Sequence, residues 1–211
     1  MSLATTERAS LAQTLHALGP DAPTLCTGWD TFDLVTHMWL RENEPLTALG
    51  MFFPPLSTRT NRRMAEVKAS EDFDDLVDKF AAGPAGIFRF AKIDEIANSL
   101  EYFVHHEDVR RGKEPKNPRI LSAQADETLW NWAKRLAKTR LAKSAHGIVI
   151  TRTGSKPGAQ QVVSTGAEIV EIFGEPGELV LWLYGRKSAA RLNFAGKHEP
   201  VKAVQELKLT V

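Results

Sequence analysis

The spacing of apolar residues changes character once along the chain, and that change constrains the fold more than any other feature. Up to about residue 111 apolar side chains recur at helical spacing. After the Pro/Lys-rich stretch KEPKNPR the chain turns to short, β-branched runs. Helices first and strands later imply an all-α domain, residues 1–117, followed by a small α+β domain, residues 118–211. A length of 211 residues accommodates two such units.

In the first unit, Leu11, Leu15 and Leu18 mark a helix over Glu7 to Leu18 behind the candidate caps Thr5 and Thr6, and Gly19-Pro20 ends it. A second helix runs from Asp30 or Thr31 to about Leu49. Leu34, Val35, Met38 and Trp39 form its apolar stripe; Asp33, His37, Arg41 and Glu44 form a polar one. Two prolines in MFFPPLST break the pattern. A third helical region covers 61–82 with an interruption near Ser70, its second half opening on Glu71, Asp72, Asp74 and Asp75 and stopping at Gly83-Pro84. A fourth helix runs from about Asp94 to Arg111. Four helices so connected predict an up-down bundle. In the second unit a helix over Ser122 to Lys143 precedes strands in HGIVITRT, QQVVS and Ala167 to Phe173. Glu178 to Tyr184 reads as a short helix or strand, Arg191 to Phe194 as a strand, and Val201 to Leu207 as a closing helix.

Several function classes are disfavoured by composition. The longest apolar runs, such as LVLWLY from Leu179 to Tyr184, fall far short of the roughly 20 residues that span a bilayer. The opening MSLATTERAS lacks the apolar segment of a signal peptide, so a cytoplasmic location and no membrane partner are expected. A formal net charge of +1 gives no basic excess for nucleic acid. Lys134, Arg135, Lys138, Arg140 and Lys143 follow Asp126 and Glu127 on one helix, an order that complements its dipole, and read as a solvated face. The single cysteine excludes an intramolecular disulfide and a Cys-only metal site.

The fourth helix carries the sequence NSLEYFVHHEDVRR. Residues four apart lie one above the other, so Glu101 and His105 share a face, which Asn98 and Asp108 extend. A carboxylate and an imidazole one turn apart grip one divalent ion in helical metal motifs, and they equally form plain solvated pairs. His37, on the polar stripe of the second helix, can face them across a bundle core. Two imidazoles and a carboxylate suit zinc, nickel, manganese or iron. Three protein ligands leave positions open for water or substrate. His106 is adjacent to His105 but projects about 100° from the Glu101 face, so the spacing favours His105. Cys26 is open to two readings, a nucleophile or a small buried hydrophobe, and with no base near it in sequence the second is favoured. Arg41, Asp108 and Arg110 are candidates to steady the ligand face.

The segments TLCTGWDTFDLVTHMWLRE, SLEYFVHHEDVRR and GELVLWLYGR together resemble the maleylpyruvate-isomerase-like branch of the DinB/YfiT superfamily, of the kind found in bacteria that make mycothiol. The resemblance covers most of the chain. It implies a DinB-like four-helix metal-binding domain and a small C-terminal domain similar to sterol-carrier folds. It implies that His37, Glu101 and His105 hold a divalent metal, zinc first and nickel or manganese next. It also implies that mycothiol supplies the reactive sulfur, and that Arg186 reaches the active site to hold an anionic substrate. The expected activity is a metal-dependent, mycothiol-dependent S-transferase or isomerase acting on a small electrophile. The competing expectation is a non-enzymatic, metal-stabilised module carrying an apolar ligand, with Trp130, Trp132, Trp182 and Phe194 either lining its pocket or, at least as well, packing the core.

Overall fold

The computed structural model describes residues 2–51, 53–83 and 91–209, with side chains in the helix that opens at Ala91 described from Asn98 onward. The chain divides into two units, Met1–Lys116 and Asn117–Val211, and the division falls inside KEPKNPR. It is a mixed α+β protein.

The first unit is helical. Helix α1 spans Leu3–Leu18 and is capped by Ser2, whose hydroxyl accepts from the Thr5 amide at 3.2 Å. The helix therefore starts before the expected caps Thr5 and Thr6, which lie inside it. Gly19 ends it at φ 76°, a conformation that glycine adopts without a Cβ penalty. Helix α2, Thr31–Asn43, opens on a capping box in which the Asp30 and Asp33 side chains each accept from the other's backbone amide. It stops at Asn43 instead of running to Leu49. Pro45 has no amide hydrogen to continue the ladder and disfavours helical geometry at Glu44. The same proline then serves as the first residue of α3, Pro45–Ala48. Short 3-10 turns follow at Leu49–Met51 and Pro54–Leu56.

The third helical region is two helices, α4 (Ser57–Ser70) and α5 (Phe73–Ala81). The Asp72 carboxylate accepts from the amides of Asp74 and Asp75 and so starts a new helix. Pro84 lies outside the described residues. Helix α6 spans Ala91–Arg111. Helix α1 packs against α5 and α6, and α2 packs against α4 and α5. Leu11, Leu15, Leu34, Met38, Leu76, Phe80 and Tyr102 fill the core between them, each large apolar side chain contributing on the order of 1.5–3 kcal/mol. One polar seam runs through this core. Arg8 donates to Glu42 and to the Phe80 carbonyl, both at 2.8 Å, and to Tyr102, which donates to Glu42 in turn.

The second unit places α7 (Ala123–Arg140) and α8 (Pro176–Leu183) against one another beside a four-stranded sheet. Its strands are β1 (Gly147–Arg152), β2 (Gln160–Ser164), β3 (Ile169–Gly174) and β4 (Asn193–Ala195), in the order β2-β1-β3-β4. The inner pair is parallel and both outer pairs are antiparallel. Ile148, Ile150, Val170 and Ile172 alternate inward and are buried. Helix α9, His198–Glu206, packs on β3. Every residue of α8 is buried, so its apolar run carries no periodicity to separate helix from strand; Pro176 at its first turn decides for helix.

Asp126 and Glu127 complement a helix dipole, but they also bind the buried guanidinium of Arg152 at 2.7 and 2.9 Å. Of the four aromatics named for a ligand pocket, Trp130 and Trp182 are buried, and Trp182 meets Phe194 edge-on at 5.8 Å. Among the described residues, no helix is long and apolar enough to cross a membrane.

Candidate metal centre

The capping box at Asp30 and Asp33 fixes the start of α2, and Lys68 of α4 braces it by binding both carboxylates, at 3.2 Å and 2.6 Å. Two turns from that cap, His37 points into the helical unit and is 5% exposed. Helix α6 presents Glu101 and His105 to it. The two imidazole rings stand 5.1 Å apart, and His105 Nε2 lies 3.5 Å from Glu101 Oε2. One ligand atom from each of His37, Glu101 and His105 falls within 4.8 Å of the others. The three residues singled out on the sequence are thus brought together. Tetrahedral zinc, with bonds of about 2.0–2.1 Å, holds neighbouring N and O ligands about 3.3 Å apart, so small side-chain shifts suffice for all three to share an ion.

The neighbours are equally specific. Arg41 donates to Asn98 and its Nε lies 4.0 Å from Glu101 Oε2. His105 Nδ1 donates to Asp108 Oδ2 at 3.0 Å, the contact that orients a metal-binding imidazole and fixes its tautomer. Trp29 packs 5.2 Å from the His37 ring, and His37 Nδ1 touches Met51 Sδ. Arg110 does not join this set through its bond at 3.5 Å, which goes to Glu107.

His106 faces the other way. Its Nδ1 meets Glu7 at 2.8 Å and its Nε2 meets Thr14 at 3.0 Å, so it ties α6 to α1. Adjacent residues on a helix diverge by about 100°, and these two histidines serve different neighbours for that reason.

Electrostatics in the centre follow from burial and from the density of charge. Burial, followed by the repulsion of His105, pushes His37 down to about 3, so it is neutral and its ring can act as a ligand. Burial alone lowers the basicity of His105, but its contacts with Asp108, Cys26 and Glu101 outweigh this and raise it well above the ordinary histidine value. Burial alone raises the carboxyl of Glu101. The hydrogen bond and charge of His105, with Arg41 and His37, reverse this and hold it far below the usual carboxylate range. Without metal, then, a charged His105 sits between two carboxylates, Glu101 and Asp108.

No protein family, curated protein or solved structure matches the chain.

Cys26 packs against the apolar core as expected of a small hydrophobe, but it also has polar partners. Its Sγ lies 3.2 Å from Asp108 Oδ2, to which the thiol donates, and 4.0 Å from His105 Nδ1. Its surroundings are therefore polar on one side, although it also packs against the apolar core. No local signal announces this contact, because 79 positions separate Cys26 from His105. Met51 was hidden in the same way, in a loop read only as a break. Arg186 lies in the second unit, where its guanidinium donates to the Tyr184 carbonyl at 2.8 Å.

Proposed function

We propose that the chain is a divalent-metal-dependent, mycothiol-dependent S-transferase or isomerase acting on a small electrophile, with a DinB-like first unit and a second unit of sterol-carrier type. The observation that supports this best is the convergence of buried His37 and His105 with half-buried Glu101 within the helical unit. The ion such a set holds, zinc first and nickel or manganese next, lowers the pKa of a bound thiol or water and so makes a nucleophile available at neutral pH. The protein's own residues supply the rest. His37 is kept neutral by burial and is ready to bind. Asp108 holds His105 by Nδ1 and leaves Nε2 toward Glu101. Arg41 and Asn98 limit the freedom of Glu101. Arg186 is assigned the anionic end of the electrophile on the resemblance alone, since a guanidinium grips a carboxylate by two parallel bonds.

The alternative reading is a non-enzymatic, metal-stabilised module that carries an apolar ligand. Elemental analysis of protein purified without chelator tests the metal. About one ion per chain is expected, falling severely in His37→Ala, Glu101→Ala and His105→Ala. Calorimetric titration of mycothiol into the loaded protein tests the thiol, and a flat titration at saturating thiol would move the reading to a carrier. Arg186→Ala should keep metal and thiol binding near wild type while turnover of the conjugate falls.

A further inference from the structure

His105 has two nitrogens, and each faces a different set of donors. Nε2 looks toward Glu101 at 3.5 Å. Nδ1 looks toward Asp108 at 3.0 Å and toward the Cys26 sulfur at 4.0 Å. Ligand atoms of Cys26, His105 and Asp108 all fall within 4.8 Å of one another, as those of the His37 set do. A tetrahedral ion with a sulfur bond of about 2.3 Å and nitrogen and oxygen bonds of about 2.0 Å separates its ligands by about 3.3–3.6 Å. The observed separations of 4.0, 3.2 and 3.0 Å scatter around those values.

The sulfur is held in place by its loop. The Leu25 amide donates to the Asp108 carbonyl at 3.0 Å, which ties the loop to the last turns of α6. The Cys26 amide donates to the Thr24 hydroxyl at 3.1 Å, and the Cys26 carbonyl accepts from Trp29 at 2.9 Å. Asp108 is fully buried, and a buried carboxylate beside a thiol and an imidazole is a donor set for a thiophilic cation.

We propose that Cys26, His105 through Nδ1, and Asp108 form a second metal site, selective for thiophilic divalent ions such as cadmium, which shares His105 with the His37 and Glu101 site. A neutral imidazole has one lone pair to give, so His105 serves one ion at a time and the two sites exclude one another. Hard ions such as manganese prefer the carboxylate and imidazole side; soft ions gain a thiolate bond on the other. The assignment shares His105, and Asp108 as the group that orients it, with the proposed enzymatic site and does not require mycothiol.

The test is a cadmium titration of the full chain with no added thiol, followed by ultraviolet absorption. A thiolate-to-cadmium charge-transfer band should grow in the wild type, persist in Glu101→Gln and His37→Gln, and vanish in Cys26→Ser. Iodoacetamide labelling of the wild type gives an independent reading, since it needs no variant to fold. Alkylation of Cys26 should slow about a hundredfold when cadmium is present at a hundred times its Kd. Cadmium that binds the wild type by equilibrium dialysis with no band and no protection overturns the second site. So does a band that disappears in Glu101→Gln, because the sulfur would then belong to the first set. Manganese binding to Cys26→Ser, read by calorimetry, reports on the His37 site separately, so one site can fail while the other stands.

Discussion

At the scale of the residue, neighbouring histidines show how a rotation of about 100° assigns different work to identical side chains. His105 turns to Glu101 and Asp108, whereas His106 turns to Glu7 and Thr14. His106→Ala should therefore leave the metal content near one per chain and instead lower stability by about 1–3 kcal/mol, because it removes a buried partner of Glu7. Urea unfolding and elemental analysis on the same variant check both halves, and loss of metal with unchanged stability would reverse the assignment. The pH dependence of the metal-free protein follows from His37. Its folded value is about 3 against an ordinary 6.5, so the unfolded chain takes up the proton first. Stability contributed by a neutral His37 is thus present above 6.5 and lost as pH falls toward 3, by at most about 1.4 kcal/mol per unit. His105, raised in the folded state, works in the opposite sense; its contribution is full below 6.5 and fades as pH rises toward its folded value. His37→Gln should flatten the acid limb of urea midpoint against pH in metal-free protein, and an unchanged acid limb would count against a neutral, buried His37. The Glu101 and His105 pair was legible because a spacing of four is local information. Cys26 was not, since only the fold of a loop onto α6 brings it there.

At the scale of the element, the end of α6 and the loop after α1 form one device. A Cβ on Gly112 would stand 1.9 Å from the Pro23 carbonyl oxygen, so the backbones approach as closely as they do only because residue 112 is glycine. Gly112→Ala should push the loop off the helix and cost about 1–3 kcal/mol. The same shift carries Cys26 away from Asp108, so alkylation of the thiol should accelerate in the variant even where it remains folded by circular dichroism. Equal alkylation rates would mean that the loop is held by its other bonds alone. Element identity was readable where one face is wet: α1 and α2 showed a stripe, and β3 an alternation. Element limits were less so. Pro45 cut α2 short because a proline that ends one helix also starts the next, whereas the acidic cluster around Asp72 marked the division of α4 from α5. Helix α8, buried on all sides, could not be told from a strand by pattern.

At the scale of the molecule, all the candidate ligands, Cys26, His37, Glu101, His105 and Asp108, belong to the first unit, Met1–Lys116. Each unit has its own core: the first is built on Leu11, Leu34, Phe80 and Tyr102, the second on Ile148, Ile150, Val170 and the residues of α8. The change of spacing along the sequence foreshadowed this, because a helical stripe and a β-branched alternation are completed by different neighbours. Ligand binding stabilises only the state that holds the ligand, by about 2.7 kcal/mol when the free ion is at a hundred times its Kd. An ion held wholly by the first unit should therefore raise the unfolding transition of that unit and leave the other where it was. Tryptophan reports on both, with Trp29 and Trp39 in the first unit and Trp130, Trp132 and Trp182 in the second, so a probe confined to one unit is needed. Trp29→Phe/Trp39→Phe leaves only second-unit tryptophans, and cysteine-attached dye is avoided because Cys26 is itself a candidate ligand. With that variant, zinc at saturating concentration should not move the tryptophan-detected urea midpoint, while circular dichroism, which follows the helices of both units, should show part of its amplitude shifting to higher urea. A tryptophan midpoint that moves together with the helical signal would show that the two units unfold as one cooperative block, and that metal bound in the first stabilises the whole chain.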